Sequence, residues 1–76
     1  MRRMSVLLST VEAVKEFVHI ANLCDFELDL ISGRYQVDAK SIMGIFSLDL
    51  SKPIRLEAHS EDSAKFFEEI KPFIID

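Results

Sequence analysis

Seventy-six residues leave room for one domain and no second, so residues 1–76 are read as a single unit. A chain of this size buries about 60% of its unfolded surface and is stable by roughly 4–11 kcal/mol. At 49% hydrophobic and 29% charged the composition is that of an ordinary folded domain, and a net charge of −4 argues against nucleic acid or an anionic membrane as partner.

Cys24 is the lone cysteine, which excludes an internal disulfide. No apolar run approaches the ~18 residues of a membrane span. Residues 1–8 lack the apolar core and cleavage site of a signal peptide. A reducing, cytoplasmic location fits these observations.

Residues 4–8 (MSVLL) read as a short apolar strand. Ser9 and Thr10 then offer hydroxyls to a helix start, and Ser9-x-x-Glu12 has the spacing of a capping box. Val11, Val14, Val18 and Ala21 recur at helical spacing with Phe17 beside them. Glu12, Lys15, Glu16 and His19 fall on the other side, and the helix should end near residues 22–24. Residues 25–31 alternate, with Phe26, Leu28 and Leu30 inward and Asp25, Glu27 and Asp29 outward, as in a half-buried strand. Ser32-Gly33 signals a two-residue turn. Residues 34–37 return as a strand with Tyr35 and Val37 toward the core.

Ser41, after a polar turn at 38–41, is suited to N-cap a short helix. Ile42, Met43, Ile45, Phe46 and Leu48 crowd into its two turns, more than one core face can hide. Met43 and Phe46 are assigned to the surface, although the pattern alone is equally compatible with all of them being core. Residues 49–53 form a loop, and Pro53 stands where a strand can begin without an amide donor. Ile54, Leu56 and Ala58 then alternate with Arg55 and Glu57 in a fourth strand.

Ser60 is read as the cap of the last helix, with Glu61 and Asp62 in its first turn. Ala64, Phe67 and Ile70 form the buried stripe, with Phe66 and Ile74 as further candidates, and Pro72 kinks or ends the helix. Antiparallel strands with one solvated face and helices on the other make an α+β two-layer sandwich.

Signals for catalysis are weak. Gly33 and Gly44 are the only glycines, so no phosphate loop can form. His19, His59 and Cys24 are too scattered for metal-ligand spacing, and neither a metal nor a cofactor is expected. The Asp25, Glu27, Asp29 row is better explained as a solvated sheet face than as a cation site. A Cys24–histidine pair lacks any sequence signature.

Lys40-Ser41-Ile42-Met43-Gly44, followed by Phe46-Ser47-Leu48, resembles the regulatory-serine segment of HPr, the phosphocarrier of the bacterial sugar phosphotransferase system. The resemblance runs over nearly the whole chain. It implies an HPr-like open-faced sandwich: a four-stranded antiparallel sheet with helices on one face, in the order strand, helix, strand, strand, short helix, strand, helix. In such carriers a histidine opens the first helix, followed by an arginine and a proline. Free helix amides and the guanidinium there hold a phosphoryl group. Counted back from Ser41 without a gap, these positions fall on Thr10, Glu12 and Ala13. Threonine has no imidazole, and Glu12 places a like charge beside any phosphate.

His19, two turns into the first helix, and His59, after the fourth strand, are read as surface or boundary residues. The resemblance therefore implies a member that is not an enzyme and cannot carry phosphate on histidine. It is similar in this to the catabolite-repression HPr-like proteins, which lack the histidine and keep the serine. Ser41 is the candidate for regulatory phosphorylation, with Lys40 adding a contact and Asp38 opposing it; its other reading is a helix cap alone. The implied partner surface is Ile42, Met43 and Phe46 with Lys15 and His19 of the first helix. The implied partner is a protein: a phosphotransferase-system component, the serine kinase or a regulator. Two readings from other classes stand beside this one. One is an active carrier with an unrecognised acceptor; the other is a structural domain forming a weak homodimer through exposed sheet edges.

Overall fold

The computed structural model describes residues 2–75. Its elements are β1 (Arg2–Val6), α1 (Val11–Asn22), β2 (Leu28–Ser32), β3 (Tyr35–Asp38), α2 (Ile42–Phe46), β4 (Ile54–Ala58) and α3 (Ala64–Glu69), closed by a 3-10 turn at Lys71–Phe73. The strands form one four-stranded sheet in the order β1-β4-β2-β3, every pairing antiparallel. β4 lies opposite β1 on one side and β2 on the other, so the last strand in sequence is central.

The period of two in each strand sorts the sheet into two faces. Val6, Leu28, Leu30, Ile54, Leu56 and Ala58 point to the helices and are buried. They join Val14, Phe17, Ile20 and Ala21 of α1 and Phe66, Phe67 and Ile70 around α3 in one core. Phe17 is fully buried, with the rings of Phe66 and Phe73 edge-on at 6.2 and 6.4 Å. Arg3, Ser5, Asp29, Ile31, Arg55 and Glu57 make the open face. There Arg3 Nε meets Glu57 Oε2 at 3.0 Å across paired strands.

Several elements depart from the sequence reading. β1 begins at Arg2 rather than at residue 4. Its charged start is held by the Arg3–Glu57 pair and by Arg2, whose guanidinium lies 4.3 Å from the centre of the Phe67 ring. It ends at Val6 because the chain beyond pairs elsewhere: Leu7 N donates to Phe73 O, and Ile75 N to Ser5 O. The N-cap of α1 is Thr10, with no capping box from Ser9, and Ile20 replaces the exposed Val11 in its buried stripe. The hairpin pairs Ser32 with Tyr35, which makes Gly33-Arg34 the turn. Gly33 has φ 61 and no other residue has a positive φ among those described, as a type II′ turn requires. β2 starts at Leu28, three residues later than read, although Phe26 still packs against the core.

Tyr35, expected inward, is 68% exposed: it opens the edge strand β3 at the hairpin, opposite the half-buried Ser32 rather than a core residue. α3 starts late: Ser60 Oγ accepts from Asp62 N in a local turn, and Ser63 occupies the N-cap without a side-chain bond. Ala64 is consequently exposed, and Phe66 and Phe67 carry the buried face.

The Ser63 hydroxyl is buried without a hydrogen-bond partner among the described residues. A desolvated hydroxyl of this kind costs stability. Ser63→Ala is therefore expected to leave the protein as stable or to stabilise it by ~1–2 kcal/mol in urea denaturation. A loss of stability would show that the hydroxyl is bonded in solution.

No helix among the described residues is long and apolar enough to cross a membrane.

Candidate functional site

Two helix starts hold the residues singled out in the sequence. At the first, Thr10 Oγ1 accepts from the amide of Ala13 at 3.0 Å and caps α1, with Glu12 in the first turn. Both residues are exposed, and no histidine lies on this turn. His19 is exposed in the last turn of the same helix, and His59 Nε2 lies 2.7 Å from Asp29 Oδ2 beyond β4. Asp29 is itself in register with Glu57 and Asp38 on the neighbouring strands. His59 thus stands at the edge of a row of carboxylates.

At the second start, Asp38 Oδ1 accepts from Lys40 N at 2.8 Å, and Asp38 O from Ser41 N at 3.0 Å. This tight turn delivers Ser41 to the N-cap of α2, where its Oγ accepts from Gly44 N at 3.2 Å. A Cβ on Gly44 would lie 3.3 Å from both Ser41 Oγ and Val37 Cβ. The glycine therefore lets α2 press against β3. Ile45 and Leu48 are buried and Ile42 is half-buried, which leaves Met43 77% and Phe46 41% exposed. The helix does carry more apolar surface than it can bury.

Lys40 does not take the place expected of it. Its Nζ donates to Cys24 O at 2.9 Å, and the Nδ2 of Asn22 donates to Lys40 O at 3.2 Å. Both bonds fasten the end of α1 to the start of α2, so the lysine is committed away from Ser41. The sequence reading placed Lys40 beside Ser41 and gave Asn22 no role, since no local pattern pairs residues so far apart in the chain. On the helical wheel Lys15, Val18 and His19 lie within about 60° of Asn22. The exposed Lys15 and His19 therefore share the side of α1 on which α2 is fastened. Thr10 is at the far end of that helix, about 18 Å from Asn22 along its axis.

The junction also sets the chemistry of Cys24. Its thiol pKa is raised, chiefly by burial, with nearby Glu69 and Asp25 adding to the effect and the Lys40 charge partly offsetting it. A raised pKa means less thiolate at any pH below it. Iodoacetamide at pH 8 is expected to alkylate the native protein more slowly than the urea-unfolded chain. Equal rates would show that the thiol is not protected.

A family model described as "PTS HPr component phosphorylation site" matches residues 10–76. The chain belongs to the HPr family. The phosphocarrier protein HPr of Bacillus anthracis is 25% identical, with a TM-score of 0.72 over 97% of this chain and 94% of that one. Crh of Bacillus subtilis, a catabolite-repression protein whose structure is described as a domain-swapped dimer, is 26% identical. Its TM-score is 0.66 over 100% of this chain and 93% of its own. HPr-C-His from Thermoanaerobacter tengcongensis has a TM-score of 0.79 at 23% identity, over 95% of this chain and 89% of that chain, a likeness of fold. A search of curated protein sequences gives no match. The HPr-like α+β sandwich implied by the Lys40–Leu48 segment is thus the fold of this chain.

Proposed function

We propose that this HPr-family protein does not pass phosphate on through histidine, and that it acts by binding a protein partner through α2 and the adjoining side of α1, under control of Ser41. The observation that carries the reading is the first turn of α1. A threonine hydroxyl caps it and a carboxylate follows, where the family's carriers have an imidazole and a guanidinium. Helix amides remain there, but they are common to every helix start and supply no phosphoacceptor.

The second half of the reading is supported by exposure. Ser41 is accessible, while Met43 and Phe46 beside it present apolar surface that a partner would cover. Lys15 and His19 add two titratable nitrogens to the same side. A phosphate on Ser41 would lie next to the amides of α2 and the positive end of its short dipole, with Asp38 as the opposing charge. Phosphorylation is therefore expected to be neutral or to stabilise the fold by up to ~1 kcal/mol. Its consequence would lie in recognition: a dianion at the edge of the apolar patch repels one partner and invites another that bears arginine.

The test uses the serine kinase of an HPr-containing bacterium with ATP. One phosphate per chain is expected, lost in Ser41→Ala, which itself costs ~1 kcal/mol of cap energy. The melting temperature of the phosphorylated protein should be unchanged or up to ~8 °C higher. No labelling, or unfolding upon labelling, would leave Ser41 as a helix cap alone.

A further inference from the structure

An open cleft of ≈ 900 Å³ lies where the β2–β3 turn, the segment after α2 and the outer face of β4 meet. Arg34, Tyr35, Asp49, Lys52 and Arg55 contribute to its lining, and Ser41 does not. The whole chain has nine cationic and thirteen acidic side chains, yet three cations and one carboxylate line this cleft. It is a positive concavity on a negative protein.

The charges there are poorly neutralised. On the open face of β4, Glu57 stands opposite Arg3 and pairs with it at 3.0 Å. Arg55 instead stands between Ser5 and Ile31, neither of them a carboxylate. Arg34 and Arg55 have no ion pair among the described residues. The one carboxylate, Asp49, is already engaged: its Oδ1 accepts from Ser51 N at 3.1 Å and Ser51 Oγ at 2.6 Å, and its Oδ2 lies 4.0 Å from Lys52 Nζ.

Two guanidiniums that line one cleft without an ion pair among the described residues favour a ligand with several oxygens, since each planar fork binds two of them at once. A concavity of one sign also concentrates ions of the other. The volume suits a small organic molecule rather than a simple halide, and the exposed Tyr35 ring offers an apolar wall with a hydroxyl. We propose that this cleft is a binding site for a small phosphoryl-bearing anion of the diphosphate or polyphosphate class. The site is independent of Ser41 and of the partner surface on α2.

The experiment is a titration of the full protein with pyrophosphate at fixed ionic strength, followed by amide chemical shifts in solution, with citrate as a second arm. Saturable shifts confined to Gly33, Arg34, Tyr35, Ser47, Lys52 and Arg55 are expected. Arg34→Gln and Arg55→Gln should each weaken the response at least tenfold without changing the melting temperature. Shifts that track ionic strength alone, or that survive both substitutions, would overturn the site. Binding of citrate as tight as that of pyrophosphate would overturn its assignment to phosphoryl groups.

Discussion

Phe17→Ala is expected to cost about 3–5 kcal/mol, a large share of the roughly 4–11 kcal/mol available to a chain of this length. The reason is position. Phe17 is fully buried on the inner face of α1, and its ring is met edge-on by Phe66 and by Phe73 at 6.2 and 6.4 Å. Truncation removes its own buried area and two aromatic contacts, and it loosens the turn of Lys71–Phe73 from α1. Phe46→Ala is the matched control. That ring is 41% exposed on α2, so its loss should cost less than about 1.5 kcal/mol. Urea denaturation of both variants checks the pair. Equal losses would mean that Phe46 belongs to the core and that the apolar patch on α2 does not exist.

Incubation with phosphoenolpyruvate and the general enzyme of the phosphotransferase system is expected to leave this protein unlabelled. The hydroxyl of Thr10 is occupied as an acceptor from Ala13 N, and a hydroxyl cannot form the labile phosphoramidate that an imidazole forms. Glu12, two residues on in the first turn, would repel an incoming phosphoryl group. The two histidines are poorly placed to substitute. His19 lies in the last turn of α1, at the negative end of the helix dipole, and His59 is bonded to Asp29 among further carboxylates. Restoring the family's pair as Thr10→His with Glu12→Arg should bring labelling back, because the helix start itself is intact. An acid-labile, alkali-stable phosphate on His19 or His59 of the native chain would defeat the proposed function and point to a carrier with a different acceptor.

Much of the architecture was legible in the sequence because it depends on local period. Ile54, Leu56 and Ala58 alternate and are all fully buried; Val14, Phe17 and Ala21 recur at helical spacing and are buried too. The crowding of five apolar residues around α2 pointed to exposure of Met43 and Phe46 without excluding a wholly buried set, and the structure exposes both because five residues of helix present too little inner face. The serine at the α2 cap was equally readable, because capping is a contact within three residues.

What the sequence left undecided depended on residues far apart in the chain. The bounds of β1 are set by Glu57 and Phe67, which hold its arginines, and by the C-terminal segment, whose Phe73 and Ile75 bond Leu7 and Ser5. Tyr35 alternates as a core residue would, but no element covers that end of the sheet. Lys40 reads as a free cation beside Ser41 until the fold brings the Cys24 carbonyl to its ammonium. The basic cleft is likewise assembled from a turn, a loop and a strand that share no motif. By itself the sequence determined which stretches are apolar, where α2 is capped and that residues 10–13 hold no histidine. Only the tertiary structure decided where strands stop and where each charge finds its partner, because strand ends and ion pairs answer to neighbours that the local pattern cannot contain.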